Sequence, residues 1–178
     1  MSNDILLTNI PTDLIHRLDE FVRTAPEGPN IADFPEYAEK QFVVNMGYVT
    51  AYSYGKKYFK TYLDDIFKNT VFYDKIREIY IIHILGHDPG GLHTLHIDDG
   101  RNVGINLPIV NPENSRFIIQ ENNGEILEVD TATPHLFKAN VPHGWINPQQ
   151  EERSLISFVF DHEYDNWEFV KDLVKDYF

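Results

Sequence analysis

Residues 116–130 read RFIIQENNGEILEVD. Two runs rich in apolar and β-branched residues flank Asn122-Asn123-Gly124, and an Asn-Gly pair supplies the backbone freedom that a tight reversal needs. This is the strongest hairpin signal in the chain, joining RFIIQE to EILEVD. The same texture extends outward from it. Short strand-like runs fall at 76–85, 92–97, 103–110, 115–121, 124–130, 135–141 and 153–160, with Asp88-Pro89-Gly90-Gly91 and Asp99-Gly100 among the turn signals between them. Many short strands at regular spacing predict a sandwich or barrel, and a jelly roll is a common solution at this size.

Helices flank this β core. Residues 12–24 (TDLIHRLDEFVRT) place Leu14, Leu18, Phe21 and Val22 at helical intervals, with Thr12 or Asp13 as N-cap after Pro11. Residues 25–36 read as a loop and 41–53 as a strand. Residues 57–69 read as a second helix with Phe59, Leu63, Ile66 and Phe67 inward. A last helix is expected over 166–178 (NWEFVKDLVKDYF). The chain is expected to be a single domain: a supporting region 1–75, the β core 76–160 and the C-terminal helix 161–178.

Composition narrows the chemistry. With no cysteine there is no disulfide framework and no thiolate metal site, so any metal must sit on nitrogen and oxygen ligands. A net charge of -13 argues against a phosphate backbone as main partner, because such binding rests on Lys and Arg, so nucleic acid is not expected. No apolar run approaches the ~20 residues that cross a bilayer. The N-terminus lacks the basic start and apolar run of a signal peptide, which leaves the cytoplasm as the expected compartment.

His96-Ile97-Asp98 follows one strand-like run and precedes a turn. On an extended strand, residues two apart share a face, so His96 and Asp98 can reach one ion. His143, in VPHGWIN, lies 45 residues beyond Asp98. Two imidazoles and one carboxylate, with three coordination positions left open, make the facial triad of non-haem iron(II) oxygenases. The bland alternative is a surface His and Asp flanking a turn. Ten residues after His143, Arg153 heads the apolar strand RSLISFVF. A buried unpaired charge is costly, so this arginine needs an anionic partner, and its planar fork suits a carboxylate. Ser157 shares strand parity with Arg153 and could add a hydroxyl; Ser154 could do so if the strand is irregular. An ion pair with one of the 28 acidic residues is the structural alternative.

Residues 85–111 (LGHDPGGLHTLHIDDGRNVGINLPIVN) and 141–160 (VPHGWINPQQEERSLISFVF) together resemble the double-stranded β-helix core of the 2-oxoglutarate/iron(II) oxygenase superfamily. They are most similar to small microbial and phage-type members related to aspartyl/asparaginyl β-hydroxylases and prolyl hydroxylases. The matching positions are Pro89-Gly90, His96 and Asp98, Asn106 and Pro108, His143 and Asn147, and Arg153. The likeness covers about residues 79–160. It implies a cupin-like jelly roll binding Fe(II) through His96, Asp98 and His143, with the distal carboxylate of the co-substrate 2-oxoglutarate on Arg153. It implies a hydroxylase that takes up O2, oxidises a peptide side chain or a small molecule, and releases succinate and CO2. Two departures stand out: the family's frequent Arg-x-Ser is Arg153-Ser154-Leu155 here, and residues 1–75 match nothing in the pattern.

Other residues compete for roles. Asn106 could touch the co-substrate or bond within the ladder, and Tyr80 could donate its phenol or simply pack. His135 is the rival distal ligand, but its 18 residues to Arg153 fit the pattern less well. His93 has the wrong parity for a ligand, and His83 and His87 read as structural. Arg101 could meet an anionic substrate or pair with Asp99, and Trp145 reads as pocket wall or core. Trp167, Phe169 and Phe178 pack on the sheet or form a homodimer face. Two rival functions use the same fold: a cupin-like sugar epimerase or isomerase, and a non-catalytic jelly-roll binding module.

Overall fold

The computed structural model describes residues 5–7, 12–24, 49–55, 71, 73–84, 95–110, 116–130, 132–146 and 153–175. In chain order the elements are β1 (Ile5–Leu7), α1 (Thr12–Thr24), β2 (Val49–Gly55), β3 (Ile76–Ile84), β4 (Val103–Val110), β5 (Arg116–Gln120), β6 (Ile126–Asp130), β7 (His135–Lys138), β8 (His143–Ile146), β9 (Arg153–Phe160) and α2 (Trp167–Leu173). A 3₁₀ turn at Tyr73–Lys75 leads into β3.

β9 is buried at every position, because it lies between β3 and β4 with a packed layer on each face. That explains its apolar run without polar alternation. The larger sheet has the order β1-β7-β4-β9-β3-β2, and the smaller β6-β5-β8. All the strand pairs are antiparallel. One face of the larger sheet carries Ile79, Ile81, Ile105, Ile156 and Phe158, packed with Leu18 and Phe21 of α1 and Val170 of α2. Its other face carries Tyr80, Ile82, Phe137, Leu155 and Val159, packed with Phe117 and Ile119 of β5 and Trp145 of β8. Helices, large sheet and small sheet thus form three layers, and the space between the sheets is the jelly-roll interior.

The hairpin signal is realised as β5 and β6, in register from Arg116↔Asp130 to Gln120↔Ile126, with Gly124 at φ 85°. At such an angle a side chain would be strained, so the Asn-Asn-Gly tripeptide belongs there. Helix α1 spans the residues its periodicity predicts, with Leu18 and Phe21 buried and Val22 partly so. The C-terminal helix is shorter than the sequence suggests: Trp167–Leu173, capped by Asn166, whose Oδ1 accepts from the amides of Glu168 and Phe169.

Two strand expectations need correction. The run 135–141 ends as a strand at Lys138, and a strand absent from the sequence reading begins at His143. Between them the chain crosses from one sheet to the other through residues 139–142. The run 92–97 contributes one bridge, His96 opposite His143, among its described residues. The readings of 57–69 as a helix and 25–36 as a loop lie outside the described residues, as does the first part of 41–53.

Candidate metal centre and co-substrate pocket

Two short backbone segments bring the triad together. His96 N donates to His143 O and His143 N donates to His96 O, each at 2.9 Å. In such a mutually bonded antiparallel pair the two side chains leave on the same face, and the rings lie 4.5 Å apart. Asp98, two residues beyond His96, is anchored by its amide on Ala139 O at 3.0 Å, and then Gly100, at φ 75°, reverses the chain. Asp98 Oδ1 lies 3.7 Å from His96 Nε2 and 3.8 Å from His143 Nε2. One ligand atom from each residue falls within 4.8 Å of the others, the one such cluster among the described residues. Neighbouring ligands at ~2.1 Å from a six-coordinate ion stand ~3 Å apart, so closure needs less than an ångström from each.

The chemistry of the donors fits a cation. His143 Nδ1 lies 2.8 Å from Val141 O, which can only accept, so Nδ1 carries the proton and Nε2 presents a lone pair to the cluster. Burial pushes the His143 imidazole down to about 4, despite the Asp98 carboxylate, so it is neutral at physiological pH. His143 and Asp98 are buried, whereas His96 is partly open to solvent, and Ile97 beside it is 51% exposed. The cluster therefore has one accessible side.

Arg101 fixes the second oxygen of Asp98. Its Nη1 donates to Asp98 Oδ2 at 3.3 Å, its Nε to Val103 O at 3.1 Å, and its Nη2 to Ser157 Oγ at 2.7 Å and Phe158 O at 2.8 Å. The guanidinium lies 5.5 Å from the centre of the Phe137 ring, over which it is a cation–π partner. A Cβ at residue 104 would collide with Arg101 Nη2 and the Phe137 ring, so only glycine leaves room for this arrangement. Sequence reasoning offered Arg101 either Asp99 or an anionic substrate. The structure pairs it with Asp98 instead and buries it, because the turn at Gly100 carries its side chain back beneath the triad.

The remaining candidate residues form a line. Tyr80 pairs with Ser157, Ser157 with Asn106, and Asn106 with His135 across β3, β9, β4 and β7. Directly opposed residues share a face, and Tyr80 belongs to the inter-sheet core, so the row faces the jelly-roll interior. His135 Nδ1 donates to Thr133 O at 3.0 Å, which leaves Nε2 to accept from Asn106 Nδ2 at 3.3 Å. Burial lowers the His135 pKa to about 4, against the Thr133 hydrogen bond that raises it, and the Arg153 charge lowers it further. The Tyr80 hydroxyl lies 3.4 Å from Glu78 Oε1. Ser154 points to the opposite face of β9, toward His83 Nδ1 at 2.7 Å, so Ser157 is the serine that shares the face of Arg153.

Arg153 is 2% exposed, and its Nε and Nη1 are buried with no hydrogen-bond acceptor among the described residues. Burial pulls the guanidinium down to about 10, partly offset by Asp130, so it stays charged at neutral pH. His87, His93, Pro89-Gly90 and Asn147 lie outside the described residues. Sequence reasoning had no signal for the role of His135 beyond its type: its side-chain partner, Asn106, comes from β4, 29 residues away.

No protein-family model matches the chain, and no curated protein matches it. Solved structures do. An oxidoreductase of the 2OG-Fe(II) oxygenase family from Burkholderia pseudomallei aligns at a TM-score of 0.57 and 12% identity, covering 89% of this chain and 83% of that one. A prolyl hydroxylase from Trichoplax adhaerens, in complex with a hypoxia inducible factor oxygen degradation domain peptide fragment, aligns at 0.52 and 14% identity over the same shares. The Arabidopsis thaliana dioxygenase for auxin oxidation, in its 2-oxoglutarate complex, aligns at 0.52 and 14% identity, covering 85% and 79%.

The fold is that of the 2-oxoglutarate/iron(II) oxygenases. Within this oxygenase fold the His96–Asp98–His143 cluster opens on one side of the jelly roll, and the polar row runs from it along the interior. Among the described residues no helix is long and apolar enough to cross a membrane.

Proposed function

We propose that this protein is an iron(II)- and 2-oxoglutarate-dependent dioxygenase, with His96, Asp98 and His143 as the metal ligands and Arg153 as the anchor for the distal carboxylate. The observation that carries this reading is that Nε and Nη1 of Arg153 are buried with no hydrogen-bond acceptor among the described residues. Buried donors without an acceptor are costly, Asp130 offsets the burial of this cation only in part, and mere packing would not favour it. A dicarboxylate spanning the interior satisfies it, because Arg presents parallel N–H donors that a carboxylate accepts in pairs. The donor set supports iron: two imidazole nitrogens and a carboxylate oxygen, no sulfur, and an open side.

In this reading the protein's own groups divide the work. The bare Nε2 of His143, the Nε2 of His96 and Oδ1 of Asp98 hold the ion. Arg153 holds the far end of the co-substrate, and the amide of Asn106, oriented by His135, lies along its path together with Ser157 and Tyr80. The inter-sheet residues Phe117, Phe137 and Trp145 exclude water around the chemistry. When bound, the metal and 2-oxo acid supply the activation of O2 that breaks a C–H bond, releasing succinate and CO2. The side of the cluster at His96 and Ile97 is where the prime substrate approaches. A peptide side chain is the class we favour, since an exposed apolar residue at the mouth suits an extended chain laid across it, and one structural neighbour was solved with a peptide fragment bound. Under anaerobic conditions, Fe(II) and 2-oxoglutarate added together should give a weak visible charge-transfer band. Metal binding with no such band would instead favour a cupin-like isomerase.

A further inference from the structure

Arg101 is bound more completely than a charge partner needs to be. Four hydrogen bonds, three of them to Val103, Ser157 and Phe158, fix its guanidinium before it touches Asp98. The flat space it occupies exists because residue 104 has no side chain. The result is an asymmetric carboxylate. Asp98 Oδ2 faces the guanidinium, while Oδ1 faces both imidazoles.

We propose that Arg101 is a positioning residue that reserves a single oxygen of Asp98, Oδ1, for the metal. This rests on the reading of His96, Asp98 and His143 as ligands. A free carboxylate can offer both oxygens to one ion, and the second would take a coordination position. A facial triad must keep three positions open, and a 2-oxo acid chelating through its carboxylate and keto oxygens needs two of them. Tying Oδ2 to the protein keeps those positions available. The tie also runs to β9 through Ser157, so it links the metal end of the interior to the strand that carries Arg153.

The inference predicts a split between metal and co-substrate binding. In Arg101→Gln the carboxylate is released and a cation next to the ion is removed, so Mn(II), a redox-inert probe, should bind as tightly as in wild type or more tightly. Binding of 2-oxoglutarate to the Mn(II)-loaded protein should weaken by about ten-fold or more, the scale of losing an outer partner of a ligand. The visible absorption of the Co(II)-loaded variant should fall in intensity, as expected when coordination number rises. Arg101→Lys keeps the buried charge but reaches only part of the network, and should show the same split at smaller amplitude. If Arg101→Gln does not fold, the lysine variant decides the matter. A merely structural Arg101 would lower thermal stability and leave the Co(II) spectrum and 2-oxoglutarate affinity of the folded variants at wild-type values; that result overturns the proposal. Wild-type protein that binds Mn(II) but not 2-oxoglutarate would overturn the co-substrate reading alone, and the Co(II) spectra would still decide the role of Arg101.

Discussion

Two arginines are buried in the interior of this jelly roll, and they are opposites. Arg101 donates to a carboxylate, a hydroxyl and two carbonyls, whereas Nε and Nη1 of Arg153 meet no acceptor among the described residues. Both are nearly sealed from solvent, at 4% and 2% exposure. A folded chain tolerates the first because its charge is matched from within. The second carries a standing desolvation cost that a ligand can remove. On the proposed reading, the difference separates the part of the site that holds shape from the part that waits for a partner.

The largest effects should come from the cluster beside Arg101. Asp98→Ala and His143→Ala should each abolish productive iron binding, since two remaining ligands do not chelate a labile divalent ion, while the fold survives. In Asp98→Ala, Arg101 loses its carboxylate but keeps its two carbonyls and Ser157, so stability should fall by about 1–3 kcal/mol. Iron titration and circular dichroism check both parts, and wild-type iron affinity in both variants would reassign the ligands.

Replacing each arginine by methionine in the metal-free protein tests the contrast itself. Arg101→Met strands Asp98 and should destabilise by about 3–5 kcal/mol, as breaking a buried pair does. Arg153→Met removes a buried cation that Asp130 offsets only in part, and should leave stability unchanged or raise it by about 1 kcal/mol or more. Denaturant melts of the two variants give the sign directly; equal destabilisation would erase the contrast.

Acid lability sharpens it further. His135 and His143 are held near 4 in the folded protein, against about 6.5 when unfolded. Between those values the unfolded chain binds more protons, so stability is highest above pH 6.5 and is lost as pH falls toward 4, by up to about 3 kcal/mol for each histidine. Because Arg153 contributes to lowering His135, Arg153→Met should reduce this pH dependence, and stability curves from pH 7 to 4 would register it.

Much of this was legible in the chain. The hairpin at Asn122-Asn123-Gly124 and helix α1 follow from turn chemistry and periodicity, which are local. Strand β8 escaped because it is only four residues long, contains Gly144 and gains its pairing from β5 and from His96, none of which is near in sequence. The triad residues could be named from type and spacing. The partner of Arg101 could not, because a three-residue separation on an extended strand points away, and only the reversal at Gly100 makes Asp98 the neighbour. His135 was weighed only as a ligand, whereas it meets Asn106 across two strands.

The smallest expected effect distinguishes two serines on one strand. Ser157→Ala removes the hydroxyl that accepts from Arg101 and should cost about 1 kcal/mol of stability. It should also weaken 2-oxoglutarate binding a few-fold. Ser154→Ala, on the helix-facing side with His83, should leave that affinity unchanged. Calorimetric titration of both variants would show whether the interior face alone matters.

The central claim is that Arg153 waits for a carboxylate. The direct measurement is calorimetric titration of 2-oxoglutarate into anaerobic, iron-loaded protein for wild type, Arg153→Lys and Arg153→Ala. Lysine keeps the charge but loses the planar fork and should weaken binding markedly. Alanine should weaken it more, by about 2–5 kcal/mol, or some tens- to thousands-fold. Iron affinity should stay near wild type in both variants, since the arginine is not a ligand. Equal 2-oxoglutarate affinity across all three proteins would contradict the account.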